Sequence, residues 1–542
     1  MNRTGAEKHT GARLHPAASL AVALALFAGA ATWASSASTH VGFAWAENDY
    51  LDHMDRIVEW SARLREMGLR QGIAVLTGPY WEAKRFWNPH PPLFKYAGLL
   101  GREVWPGLGF PRAERLASAL LLGALTAFAF LALHRTRGFA AALFGAVALA
   151  ALPRLFAHAM FCTTEIPLAA GWLVASLAHE RFEDTRKKRW LAAAAASFAW
   201  ALGSKLSALL LLVPLGVLTL VWRYRRGFVA VARGAAALAG VLAAGVVSLV
   251  VLYPFLWPDP LGRLALLIRE ARDWSKVNPF TALFFGRVMP YPELPWYFAP
   301  VILFLVVPPL VLALASWGAA FVRRRDRLWL AAVVQVGFWL LLMALPNTPK
   351  YDDERQMVPI FPFLGLLAGI GFADVFERIR GSMRERSAAP VEIGAACAAA
   401  LAMVLSLAAA LPFPLSYYSP LVGGIRGAYG LGFQPTYAME TLSPDLLKRF
   451  SEQIPRRSTI TVLPATDFGP FLQRRGYLRP DLRVGPRDTG PFYFVVNRHD
   501  SAGGPVSRVE SEGKLLGAYD EDGVVLVGLF HLPGGLQDER KP

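Results

Sequence analysis

The feature that most constrains this chain is an alternation repeated along most of its length. Apolar windows of about twenty residues, each able to cross a hydrocarbon core as a helix, are separated by short polar stretches. Windows at 16–36, 112–133, 139–156, 160–179, 190–204, 206–222, 228–252, 297–321, 328–345, 357–376 and 391–413 give about eleven spans. With 54% hydrophobic and only 18% charged residues over 542 positions, the solvent of such a chain must be partly lipid.

The polar stretches carry the orientation. HRTRG (134–138), HERFEDTRKKR (179–189), RYRR (223–226), RRRDR (323–327) and ERIRGSMRER (377–386) are the densest basic runs. They fall in alternate loops, which places them in the cytoplasm if the N-terminus is there too. The other loops carry ENDYLDHMD (47–55), CTTE (162–165), PDP (258–260) and KYDDER (350–355), richer in acidic and aromatic residues. This distribution also accounts for the formal charge of +16, and no basic and aromatic patch for nucleic acid stands out. Cys162 and Cys397 both lie in apolar stretches, which indicates neither a disulfide framework nor a zinc site. Arg3, Lys8 and Arg13 precede the first window, and the small-residue run ASSAS follows it, as in a cleavable signal. Because many spans follow, an uncleaved first helix is expected.

The expected fold is therefore a polytopic α-helical membrane protein. Residues 1–15 form a cytoplasmic N-terminus, 16–413 the membrane domain and 414–542 an extracytoplasmic α/β domain. The first outer loop, 38–111, contains EWSARLREMGL and PPLFKYAGLLGREVW, whose amphipathic pattern suits helices lying in the interface. The tail turns polar, with strand-like STITVLPA, FYFVVN and GVVLVGLFHL and a helical stretch around 443–453.

Groups able to do chemistry collect on the acidic side. Glu47, Asp49, Asp52 and Asp55 form an acidic cluster in which Asp49, Asp52 and Asp55 recur at helical spacing; a solvated helix start is the competing explanation, and the company of Glu165 on the same side weakens it. Glu165 opens an apolar helix, where it serves either function or capping. His90 is fixed by two prolines in WNPHPPLFKY. Lys205 interrupts an apolar hairpin, and Lys350 and Arg355 stand at the outer end of a span. Snorkelling and headgroup anchoring compete with phosphate binding as the reason for these cations. Together such groups suit a reaction in which a carboxylate takes a hydroxyl proton while cations stabilise a leaving phosphate.

At these residues the chain resembles the C-type glycosyltransferase superfamily, in the bacterial branch related to protein O-mannosyltransferases and the lipid A aminoarabinose transferase. AENDYL stands where that family has Asp-Glu followed by Tyr. His90, Pro91, Pro92 and Leu93 match its HPPL element, Thr164 and Glu165 its second acid, and Gly203, Ser204 and Lys205 its hairpin lysine. Asp352, Arg355 and Pro359 match a D-x-x-R-x-x-x-P stretch, and YYSPLVGGIRGAYG (417–430) is similar to a segment frequent in this branch.

The resemblance implies inverting transfer of a hexose or pentose from a polyprenyl-phosphate-type donor to a lipid, glycan or protein hydroxyl. The setting would be a bacterial inner membrane, with the active site facing the periplasm or the outside. The base would be Asp49 or Glu47 in two open registers, with Glu165 in place of a second acid that is usually Asp. Lys205, Arg355 and His90 would hold the donor phosphate, and Tyr50, Asp352, Lys350 and Tyr351 would contact substrate. No metal ligand set is assigned, although a divalent cation bridging carboxylate and phosphate stays open. The rival expectations are a transporter or flippase of lipid-linked or anionic cargo, with ionisable groups at mid-bilayer, and a non-catalytic relative.

Overall fold

The computed structural model describes residues 14–81, 90–277, 280–380, 385–485, 490–497 and 504–536. Helices occupy every apolar window. They are α1 (Pro16–Ala37), then α2 (Glu47–Met67), α3 (Leu69–Trp81) and α4 (Leu93–Val104) in the first loop, followed by α5 (Arg112–Arg137). Next come α6 (Phe139–Ala150), α7 (Pro153–Ala159), α8 (Glu165–Thr185), α9 (Lys188–Leu202), α10 (Leu212–Arg223) and α11 (Phe228–Leu252). After α12 (Pro260–Val277) and a hairpin, β1 (Thr281–Phe284) and β2 (Arg287–Pro290), the chain forms α13 (Phe298–Val306), α14 (Pro309–Ala320) and α15 (Arg327–Ala344). The last long helices are α16 (Ile360–Arg380) and α17 (Glu385–Ala409).

Among the described residues seven helices are long and apolar enough to cross a membrane, and one bent pair would make an eighth, against the expected eleven or so. The difference has local causes. Leu152 is extended before Pro153, so the window at 139–156 becomes α6 and α7, bent by 63°. Val307 is extended before Pro308, and the window at 297–321 divides into α13 and α14. Helix α9 has 15 residues, and α8 continues into the charged ERFEDT run.

Small residues let the helices approach. A Cβ on Gly371 would lie 2.0 Å from the Leu314 carbonyl oxygen, and one on Gly318 would lie 2.1 Å from that of Leu367. The α14–α16 contact is thus backbone against backbone. Polar side chains add specific links: the Trp172 indole donates to Gln335 Oε1 at 2.7 Å, and Gln335 donates to Ser176 at 3.0 Å.

The tail forms short helices α18 (Gly424–Gly430), α19 (Pro444–Glu452), α20 (Phe468–Arg474) and α21 (Gly504–Glu512). Its strands are β3 (Thr459–Leu463), β4 (Arg483–Val484), β5 (Phe492–Val496), β6 (Lys514–Glu521) and β7 (Val524–His531). They make one mixed sheet in the order β4-β3-β5-β7-β6, with β3 parallel to β4 and β5, and β7 antiparallel to β5 and β6. Residues ahead of this sheet turn back onto the helices: the Ser419 amide donates to the Leu305 carbonyl at 2.6 Å.

The tail also grips the first loop. Phe43 bridges to Met439, and its ring packs edge-on against Phe471 at 4.9 Å. Arg475 reaches Asp52 and Asp55 at 3.0 and 2.7 Å, and Arg474 reaches Asp52 at 2.6 Å. Asn48 donates to Asp467 at 3.2 Å.

Candidate active site

Four polar groups meet where helices end. Glu165 is the first residue of α8, Lys205 follows α9, and Asp352 and Arg355 precede α16. Glu165 Oε1 accepts from Arg355 Nε at 3.1 Å, Lys205 Nζ at 3.4 Å and Thr164 Oγ1 at 3.2 Å. Arg355 Nη1 donates to Asp352 at 2.8 Å. The other oxygen of Glu165, Oε2, is buried and meets no hydrogen-bond donor among the described residues. It belongs to a side chain lining a small cavity shared with Arg355, His158, Trp45 and Tyr437. A buried acceptor left unmatched is costly, and such groups in native proteins ask for a ligand or water.

Donor capacity also remains. A guanidinium offers five N–H groups and an ammonium three, more than Glu165 and Asp352 use. The loop that presents Arg355 is strained: Asp352 and Asp353 have φ of 57° and 49° in the left-handed region, which non-glycine residues rarely occupy.

Asp49 lies in the first turn of α2, partly buried, and makes no hydrogen bond or ion pair to another described residue. Burial first, then the charges of Asp467 and Asp52, raise its pKa from 3.8 to about 7, with Lys95 opposing. Next to it, Tyr50 is within electrostatic reach of both Glu165 and Arg355. The Tyr50 ring meets His90 at 5.9 Å, and the His90 carbonyl accepts from Lys95 Nζ at 3.1 Å. Burial, then the positive charges of Lys205 and Lys95, push His90 down to about 3. His90 is therefore a neutral imidazole at physiological pH, able to hydrogen-bond a phosphate but not to supply a positive charge. Trp87 to Pro89, just before it, lie outside the described residues.

Glu47 has a different environment. Both of its oxygens accept from Arg115 at 2.8 Å, and they also accept from the backbone amides of Cys162 at 2.8 Å and Ala44 at 3.1 Å. With four donors and no exposed surface, it ties three segments together and has no lone pair to spare for a substrate proton. Lys350 donates to the Leu294 carbonyl at 3.4 Å, apart from the Glu165 group, while Tyr351 stacks on Phe280 at 4.2 Å beside Arg355.

Sequence reasoning missed the frame behind this site. Arg154 donates to Glu354 at 3.3 Å and to the Tyr417 carbonyl at 3.2 Å. Tyr437 donates to Glu354 at 2.7 Å and meets His158 Nε2 at 3.0 Å. An arginine inside an apolar window was the available signal, because such a charge persists only when it is paired. Among the described residues no group of three or more His, Cys, Asp or Glu side chains could hold a metal ion.

Residues 89–257 match the family model described as dolichyl-phosphate-mannose-protein mannosyltransferase. Over that stretch the chain is similar to the protein mannosyltransferases. The matched residues include HPPL, Glu165 and Lys205, so the motif resemblance is carried independently there, whereas Asp49 and Arg355 fall outside it. Two crystal structures of ArnT from Cupriavidus metallidurans also resemble this chain. The apo state is 16% identical with a TM-score of 0.49, covering 95% of this chain and 97% of that one. The form bound to undecaprenyl phosphate is 17% identical with a TM-score of 0.46 and the same coverage. No curated protein matches the chain.

Proposed function

We propose that this chain is a membrane glycosyltransferase that moves a sugar, with inversion, from a polyprenyl-phosphate-type donor to a hydroxyl of a lipid, glycan or protein. The observation that carries this reading is the meeting of Glu165, Lys205 and Arg355 at the helix ends, with Tyr50 in electrostatic reach of Glu165 and Arg355 and Asp49 its neighbour in the chain. Asp49 takes the proton of the acceptor hydroxyl as its oxygen attacks the anomeric carbon. The bond from that carbon to the phosphate oxygen breaks, and the lipid phosphate leaves with the bonding electrons. Lys205 and Arg355 stabilise that charge through their remaining N–H donors. Neutral His90 orients a phosphate or sugar oxygen, and Glu165 Oε2 accepts from a hydroxyl of either substrate.

The match to dolichyl-phosphate-mannose-dependent transferases supports a lipid-phosphate donor, and the basic loops support an outward-facing site. The test is transfer in proteoliposomes supplied with defined polyprenyl-phosphate hexoses and pentoses, with products read by mass spectrometry. Loss of transfer in Asp49→Asn protein that inserts normally is expected; full transfer by that variant would overturn the reading.

A further inference from the structure

A second cavity, of about 780 Å³, lies at the other end of the bundle. Helix α8 runs from Glu165 in the candidate site to Glu180 and Asp184 on the wall of this cavity, a distance of roughly 22 Å to Glu180 at 1.5 Å per residue. Its walls come from the last turns of α5, α8 and α10 and the first turn of α15.

The acidic groups of this wall are already paired. Glu180 accepts from Arg135 at 2.7 Å and Asp184 from Arg181 at 2.9 Å. Asp326 pairs with Arg137 and caps α15 by accepting from the Trp329 amide at 2.9 Å. Three more arginines face the same space. Arg324 pairs with Asp326 at 3.9 Å; Arg325 lies over the Trp329 ring at 5.2 Å and donates to the Ala320 carbonyl at 3.4 Å, and Arg327 lies over the Trp222 ring at 5.5 Å. Stacking occupies the flat face of a guanidinium, and even with the Ala320 carbonyl taking one donor of Arg325 most of the N–H edge is left for an anion. Arg327 Nη1 is buried and has no hydrogen-bond partner among the described residues.

We propose that this cavity is a binding site for a phosphate-bearing anion, either the headgroup of an anionic phospholipid or a soluble phosphate. Surplus arginine charge held on aromatic faces between helix ends matches the chemistry by which such pockets take phosphates. The site is distinct from the candidate active site and does not depend on the transferase reading.

The test uses the full chain in phosphatidylcholine nanodiscs, titrated separately with phosphatidylglycerol and inorganic phosphate, with melting temperature and native mass spectrometry as readouts. A saturable upward shift is expected, weakened about thirtyfold in Arg325→Gln/Arg327→Gln protein at the strength typical of two basic residues near a membrane. A response to phosphatidylglycerol alone assigns the site to a lipid headgroup, and a response to inorganic phosphate as well assigns it to the phosphate group itself. No saturable shift in the wild-type protein overturns the proposal, as does an undiminished shift in the variant. Should the glutamine pair fail to fold, Arg325→Lys/Arg327→Lys serves instead: it loses the bidentate edge, and unchanged affinity there is equally decisive against the site.

Discussion

At the scale of single residues, two acids two positions apart in AENDYL have opposite environments. Glu47 is spent on Arg115 and two amides, and Asp49 is not. Glu47→Gln should therefore lower stability by about 3–5 kcal/mol, because it leaves the buried Arg115 uncompensated. Thermal unfolding in detergent checks this. Asp49→Asn should leave the melting temperature nearly unchanged and cut transfer by about 10²–10⁴-fold, the usual worth of a general base. As a base at about 7, Asp49 makes the rate rise with pH through neutrality. Asp467→Asn removes a nearby negative charge, which favours the ionised Asp49, and so moves that rising limb to lower pH; a limb that stays in place counts against the coupling. The sequence could not choose between the two acids, because the deciding partners, Arg115 and Asp467, are remote in the chain.

At the scale of elements, hydropathy located the apolar helices, since burying backbone in lipid demands helix wherever the chain is apolar. It missed the breaks, which come from Pro153 and from Pro308 and Pro309, and it missed α12 and the β1–β2 hairpin, whose polar sequence carries no membrane signal. Lys205, Glu165 and Arg355 were legible because charge beside an apolar window is conspicuous, whereas the Arg154–Glu354–Tyr437 frame needed contacts between distant segments. The glycine contact between α14 and α16 gives a prediction at this scale. Gly371→Ala places a methyl group against the Leu314 carbonyl and should cost about 1–3 kcal/mol, as overpacking does, read as a lower unfolding temperature in detergent.

At the scale of the molecule, the tail and the first loop are held together by Arg474 and Arg475 on Asp52 and Asp55, around the helix that bears Asp49. Replacing both arginines with alanine should loosen α2 and raise hydrogen exchange over residues 47–67, while α5 to α11 keep their protection. Orientation can be tested in the same assembly. A cysteine at Thr348 and one at Arg324 lie at opposite ends of α15, so a membrane-impermeant thiol reagent should label the first from outside and the second only after permeabilisation. The strand-rich tail was legible from its alternating and β-branched runs; its docking on α2 was not, because ion pairs between segments hundreds of residues apart leave no local pattern.

The resting cluster is electrically balanced: Lys205 and Arg355 offset Glu165 and Asp352. A donor phosphate entering this space brings negative charge that adds to that of the acids, and Asp49, whose pKa is already raised by burial and by Asp467 and Asp52, is the group best able to answer by holding its proton. Donor binding and proton uptake are then linked, each favouring the other by the same free energy. The rising limb of kcat should consequently lie at higher pH than that of kcat/KM for the acceptor-saturated enzyme. Mixing enzyme and donor in weak buffer near pH 7 should draw protons from solution, and this protein would register its donor as a change in acidity before any sugar has moved.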